Sequence, residues 1–169
     1  MSYQIAYYSR TGNSRTLACG VAENLPPNTL PLLDLSQQDV EEEADAYVLC
    51  FGMTKGEIPI QIMDVLEYLD GKDLLFLVTC GMEVTEEYRS HIIRKLEPFL
   101  PDNSECLGLF LCNGAFPDAL REHAEATLQE NPESKKAAAV LRNWKQAFEH
   151  PDQDDIADAT QFVMEHLQL

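Results

Sequence analysis

The sequence predicts an α/β domain in three layers, a five-stranded parallel sheet with helices on both faces. Three observations carry this expectation. Short β-rich apolar runs alternate with amphipathic segments of helical period, the succession of elements that yields a parallel sheet. One run, Leu74 to Cys80, is apolar almost without a break, as a strand covered on both sides should be. The chain has 169 residues, 45% of them hydrophobic, enough for one substantial core. A single domain over residues 1–169 is therefore expected.

The elements follow in order. Tyr3 to Tyr8 reads as a buried strand. After a polar turn, Leu17, Ala18, Val21, Ala22 and Leu25 share one face of a helix from Ser14 to Leu25, which Pro26 and Pro27 stop. Thr29 to Leu35 is expected as a second strand, and Pro31 suits a sheet edge. Ala46 to Phe51 is the third strand, closed by Gly52. Ile58, Ile62, Val65, Leu66 and Leu69 mark a helix ended by Asp70, Gly71 and Lys72. Leu74 to Cys80 is the fourth strand, broken by Gly81. Tyr88, Ile92, Leu96 and Phe99 define the next helix face, which ends near Pro98 and Pro101. Cys106 to Cys112 is the fifth strand. Pro151 to Asp155 opens a last helix with acids at its positive end, and Ile156, Ala159, Thr160, Val163 and Leu167 face inward. The segment between, about 113–150, is less regular. Its helical patches contain Leu120, Ala124 and Leu128, then Val140, Leu141, Trp144 and Phe148. It is too short and polar to hold its own core, so it reads as an insertion on the same domain.

Charge narrows the function classes. The chain carries 29 acidic and 12 basic residues, a formal −17. Such a surface repels nucleic acid and anionic membranes and steers toward basic partners. Cys19, Cys50, Cys80, Cys106 and Cys112 contain no C-x-x-C pair, so neither a disulfide framework nor a zinc site is expected. His91, His123, His150 and His166 do not share metal spacing. The first residues lack the basic start of a secretory signal, and no apolar run approaches the roughly 18 residues of a membrane helix. These features predict a cytoplasmic protein, monomeric or weakly dimeric. No catalytic set is visible: Cys80, at a strand end, has no base beside it and reads as wall material.

Ligands of open parallel sheets bind beyond the carboxyl ends of strands, where strand order reverses. The loop Ser9-Arg10-Thr11-Gly12-Asn13-Ser14 lies between a strand and a helix. Backbone N–H groups at the helix start, hydroxyls of Ser9, Thr11 and Ser14, and the Asn13 amide would converge there on a phosphate, while Gly12 permits the tight turn. The loop has no P-loop lysine, which argues against a nucleoside triphosphate with magnesium. The same residue types also make ordinary helix caps.

The stretch Tyr7 to Ser14, followed by Ala18 and Val21, resembles the phosphate-binding signature of flavodoxins. Ser14 stands where that signature usually has Thr, and Ala6 where a bulkier strand residue is usual. Softer matches include Phe110 to Gly114 and His150 to Asp152. The resemblance implies strand order 2-1-3-4-5 and FMN as cofactor. It places the FMN phosphate on residues 9–14, and the flavin ring between Met53-Thr54-Lys55-Gly56 and Cys80-Gly81-Met82. It also puts the Gly56 backbone near the flavin N5, where glycine allows a peptide flip.

One departure stands out: flavodoxins usually bring an aromatic from each of these loops to the ring, and none lies within residues 52–56 or 79–83. Tyr88 is the nearest aromatic, either against the ring or in the core beside Ile92. Met53 and Met82 are candidate substitutes, or ordinary strand-end residues. Lys55 reads equally as a solvated charge, and Phe116 as a loop anchor or a residue leaning over the site.

The leading functional expectation is an FMN electron carrier between redox partner proteins with basic docking surfaces. Its surplus negative charge would hold the flavin potential low. The alternatives are a small FMN-dependent reductase of quinones or other organic acceptors, roofed by the insertion, and a flavin-free binding or regulatory domain.

Overall fold

The computed structural model describes residues 1–27, 30–40 and 44–169. Among them are the strands β1 (Tyr3–Tyr8), β2 (Leu33–Asp34), β3 (Ala46–Gly52), β4 (Asp73–Cys80) and β5 (Glu105–Asn113). They form one sheet in the order β2-β1-β3-β4-β5, with every pairing parallel. The helices are α1 (Asn13–Asn24), α2 (Ile60–Leu66), α3 (Glu86–Leu96), α4 (Asp118–Glu130), α5 (Lys135–Ala147) and α6 (Gln153–Leu167). Fold class and strand order are those expected. None of the helices of the described residues is long and apolar enough to cross a membrane.

Successive strand residues point to opposite faces, which builds two cores. Ile5, Tyr7, Val48, Cys50, Leu75 and Leu77 pack beneath α1 and α6. Ala6, Leu49, Phe51, Phe76 and Val78 meet Ile62 and Leu66 of α2 and Ile92 and Leu96 of α3 on the other side. Each buried Leu or Phe contributes about 1.5–3 kcal/mol of transfer free energy, so β3 and β4, apolar on both faces, anchor the domain. Gly20 lets α1 and α6 close together: a Cβ there would stand 2.7 Å from Ile156 Cδ1.

Several boundaries differ from expectation. The second strand shrinks to two residues, and Thr29 lies outside the described residues. Leu30 still donates its N–H to Tyr3 O at 3.1 Å, but Pro31 has no N–H to continue a ladder, and its carbonyl accepts from Gln4 Nε2. α2 is shorter than its apolar spacing suggested. Ile58 is buried ahead of it and Leu69 beyond it, the latter in a turn where Leu69 N bonds Leu66 O at 3.1 Å. Phe99 leaves the helix face: α3 ends at Leu96, a 3₁₀ turn over Glu97–Phe99 follows, and Phe99 is exposed.

Residues 113–150 contain α4 and α5, joined through 131–134. They bury small residues, Ala124, Ala137 and Ala147, and expose Leu120 and Phe148. Arg121 lies 5.2 Å over the Trp144 ring, and the Trp144 and Phe148 rings meet at 4.9 Å, tilted by 35°. The segment returns to the sheet at His150, whose carbonyl accepts the Ala115 N–H at 2.8 Å.

α6 begins with a reciprocal cap in which Asp152 accepts from the N–H groups of Asp154 and Asp155, and Asp155 accepts from that of Asp152. His150 Nδ1 lies 2.6 Å from Asp155 Oδ2. That hydrogen bond, opposed by partial burial and aided by the charges of Asp155, Asp152 and Glu149, raises the His150 pKa. A raised folded-state pKa stabilises below the unfolded value of about 6.5 and loses that contribution as pH climbs through the folded value. Urea midpoints of the native chain should therefore fall with rising pH across this interval by more than those of His150→Gln. Parallel curves for the two proteins would remove the imidazole from the stability of this junction.

Candidate functional site

A cavity of about 870 Å³ opens beyond the carboxyl ends of β1, β3, β4 and β5, a size suited to one small-molecule ligand. Its first wall is the β1–α1 loop. Gly12 sits at φ 98, and a Cβ there would meet nothing within 4 Å, so glycine is required by conformation rather than by space. Gly12 N–H donates to Ser9 Oγ at 3.0 Å. Thr16 donates to Gly12 O through its N–H at 2.9 Å and its hydroxyl at 3.0 Å. No side chain caps α1, so the N–H groups of Asn13, Ser14 and Arg15 stand at the helix's positive end without intrahelical acceptors.

Two of the expected donors are engaged elsewhere. Asn13 Nδ2 donates to Ala115 O at 2.6 Å, and a Cβ on Gly114 would stand 2.8 Å from that same nitrogen. The Ser14 hydroxyl is buried and shares a hydrogen bond with Thr79 Oγ1 at 3.1 Å. What this loop offers a ligand is therefore backbone N–H, the Ser9 and Thr11 hydroxyls and the Arg10 guanidinium. Ser9, Arg10, Thr11, Asn13 and Ser14 all line the cavity, while Gly12 shapes the loop from behind.

Met53, Thr54, Lys55 and Gly56 form the second wall. Met53 N–H is held by Thr79 O at 3.0 Å, and Thr54 and Glu57 exchange backbone hydrogen bonds of 2.9 and 3.0 Å. Between them Lys55 and Gly56 take φ values of 54 and 78, the succession of a type I′ turn. Gly56 suits its position, whereas Lys55 adopts a conformation uncommon for a side-chain-bearing residue.

Cys80, Gly81 and Met82 make the third wall. Burial pushes the Cys80 thiol up to about 11, so at neutral pH it is protonated and forms wall rather than nucleophile. Asn113 Nδ2 fixes the loop by donating to Cys80 O at 3.2 Å and Met82 O at 2.7 Å. Tyr88 reaches the same cavity from α3 while also packing against the sheet core. Its phenol is pushed up to about 12, chiefly by burial.

A fourth wall was expected only in part: the sequence suggested a roof from residues 113–150 and Phe116 leaning over the site, but not the other residues. Ala115, Phe116, Leu120, Val140 and Asn143 close the cavity from the side of α4 and α5. Phe116 lies against Gly81, where a Cβ would stand 3.0 Å from its Cδ1, and Asn143 Nδ2 approaches Met82 Sδ at 3.8 Å. Aromatic rings thus come from Tyr8, Tyr88 and Phe116 rather than from the two expected loops. The available signal was Asn113-Gly114, a turn at a fourth strand end. Among the described residues one trio, His150, Asp152 and Asp155, brings potential metal-ligand atoms within 4.8 Å of one another, but those atoms already make the α6 cap.

An open parallel sheet whose β1 and β3 loops part around a phosphate-type turn is a doubly wound α/β domain with its site at the switch point. The chain belongs to the Flavodoxin domain family, whose model matches residues 4–164. It is 26% identical over 166 residues to the flavodoxin-like domain-containing protein BilS of Clostridioides difficile (strain CD3), covering 96% of this chain and 94% of that protein. A protein of the same description from Clostridium symbiosum (strain WAL-14163) is 26% identical over 180 residues, covering 97% and 95%. The crystal structure of oxidised Flavodoxin 2 from Bacillus cereus shares the fold, with a TM-score of 0.57 at 16% identity over 99% of each chain.

Two pairs of substitutions test how the first wall is held. Ser14→Ala should lower stability by about 1–3 kcal/mol by stranding the buried Thr79 hydroxyl, and adding Thr79→Val should recover part of that loss in urea denaturation. Gly114→Ala should destabilise the native chain and cost less in an Asn13→Ala background, since the amide it would strike is gone and only the Cβ contact at 3.2 Å remains. Equal costs in both backgrounds would show that Asn13 and Gly114 are not coupled.

Proposed function

We propose that the protein binds FMN and carries electrons between redox partner proteins. The observation that carries this reading is the uncapped start of α1, where left-handed Gly12 turns the loop so that Ser9 and Thr11 border the same cavity as the loops after β3 and β4. The donor set fits a phosphate: helix N–H groups supply hydrogen bonds and a favourable dipole, and Arg10 supplies compensating charge. The remaining walls fit a flat, largely apolar ring. Met53, Met82, Tyr88 and Phe116 offer polarizable and aromatic contact and would exclude water from both sides. Gly56 and Gly81 would present backbone groups to the ring's polar edge. Bound FMN would supply one- or two-electron transfer, chemistry this chain's side chains do not provide. Met82, 51% exposed, marks an open edge, and the acidic exterior favours partners with basic docking surfaces.

A second reading draws on the fourth wall. Leu120 and Val140 reach over the cavity, as they would if an organic acceptor such as a quinone were reduced there directly. Oxidation of a pyridine nucleotide by the isolated FMN-loaded protein, with turnover of a quinone, would favour this reading over the carrier.

The deciding experiment compares FMN with riboflavin, which lacks the phosphate, by quenching of flavin fluorescence. FMN should bind one-to-one and at least about 100-fold more tightly, because two or more charge-assisted hydrogen bonds are lost with the phosphate. Thr11→Ala should narrow that gap. Equal affinity for the two flavins would refute the phosphate site, and binding of neither at micromolar levels would end the carrier proposal.

A further inference from the structure

Among the described residues no Asp or Glu lines the cavity, although the chain has 29 acidic residues. Acids come to the rim and stop: Glu57 follows Gly56, Glu83 follows Met82, and Asp118 follows Pro117. Glu57 is drawn onto α3 by Lys95, whose Nζ lies 2.9 and 3.0 Å from its carboxylate oxygens. Asp118 lies 3.9 Å from Arg121. Two cations do line the cavity, Arg10 and Lys55. Arg10 belongs to the phosphate-type loop, which leaves Lys55, on the loop after β3, without an assigned role.

Lys55 is held there at a cost. Its φ of 54 is a left-handed value that a glycine would adopt freely. Its neighbouring carboxylate is paired with Lys95 instead, and among the described residues none lies within ion-pair distance of Lys55. An unpaired ammonium thus stands on the wall that the FMN reading gives to the ring.

Resting on that reading, we propose that Lys55 stabilises the reduced, negatively charged flavin ring, raising the cofactor's midpoint potential and favouring its fully reduced form. Two electrons from a reducing partner protein and one proton from solvent convert the neutral oxidised ring into a monoanion, and Lys55 keeps its own proton throughout. The −17 of the whole chain opposes that anion only weakly. Charges farther than about 8 Å are largely screened at physiological ionic strength, whereas Lys55, although exposed, lines the cavity itself and acts over a short distance. Local charge, rather than net charge, then sets the potential.

The test uses FMN-loaded wild type, Lys55→Gln, Lys55→Gly and Lys55→Arg. Oxidised FMN is titrated first, and midpoint potentials are then measured against reference dyes at two salt concentrations. Lys55→Gln and Lys55→Gly should each weaken reduced FMN about tenfold relative to oxidised FMN, lowering the two-electron potential by about 30 mV. Lys55→Arg should hold the wild-type value, and higher salt should shrink the difference. A potential unchanged in Lys55→Gln, with oxidised FMN still bound, overturns this inference alone. A fall confined to Lys55→Gly also overturns it, since backbone geometry would then be the cause. Failure of wild type to bind oxidised FMN overturns both this inference and the function it rests on.

Discussion

The handedness of β-α-β crossovers decides where this protein can hold a ligand. A strand, its helix and the next parallel strand connect in the right-handed sense in nearly all cases. Here β1 has β2 on one side and β3 on the other, so the chain must move in opposite directions along the sheet after β1 and after β3. α1 consequently covers one face and α2 and α3 the other. The loops after β1 and β3 diverge, and no side chain of the core can fill the gap between them. Every feature of the site depends on that forced opening: the exposed positive end of α1, the tight turn at Lys55 and Gly56, and the slot leading to Cys80.

The walls of the opening are fixed from behind. Thr79, the penultimate residue of β4, meets the Ser14 hydroxyl through its side chain and the Met53 N–H through its carbonyl, tying the first wall to the second. Asn113, the last residue of β5, holds the third through Cys80 and Met82. Asn13 joins the first to the fourth through Ala115, and Ala115 in turn is fastened to His150. These polar side chains act on one another and on the backbone, which leaves main-chain N–H groups, Ser9, Arg10, Thr11, Lys55 and apolar surface to face the cavity. Such preorganisation limits the reorganisation a bound group would demand.

The central strands and the β1–α1 turn were legible because local composition determines them: β3 and β4 are apolar on both faces, and a strand–turn–helix with Gly12 admits few conformations. β2 was overread because alternation alone does not register that Pro31 cannot donate to a ladder. Phe99 was misassigned because a helical spacing continues through Pro98 on paper but not in the backbone. Residues 9–14, 53–56 and 80–82 were found from their positions at strand ends, yet the sequence could not tell which donors the protein itself occupies. Asn13 and Ser14 look as available as Ser9 and Thr11 until Ala115 and Thr79 are placed beside them. The fourth wall was least legible. It depends on contacts between residues far apart in the chain, and α4 and α5 bury mainly alanines, which give little periodic signal.

The contact between Gly81 and Phe116 limits how this site can drift over evolution. A Cβ at 81 would press on the Phe116 ring, so a bulky side chain at 81 and the ring at 116 in its present place exclude one another. A lineage that gained a ring on the one side would have to shrink or withdraw the ring on the other in the same step, or pass through an intermediate with a clashing or a hollow wall. The glycine at 81 and the ring at 116 are thus two halves of a single historical choice. Positions 81 and 116 should vary together among descendants of this chain, even though neither residue's neighbours along the sequence would reveal the link.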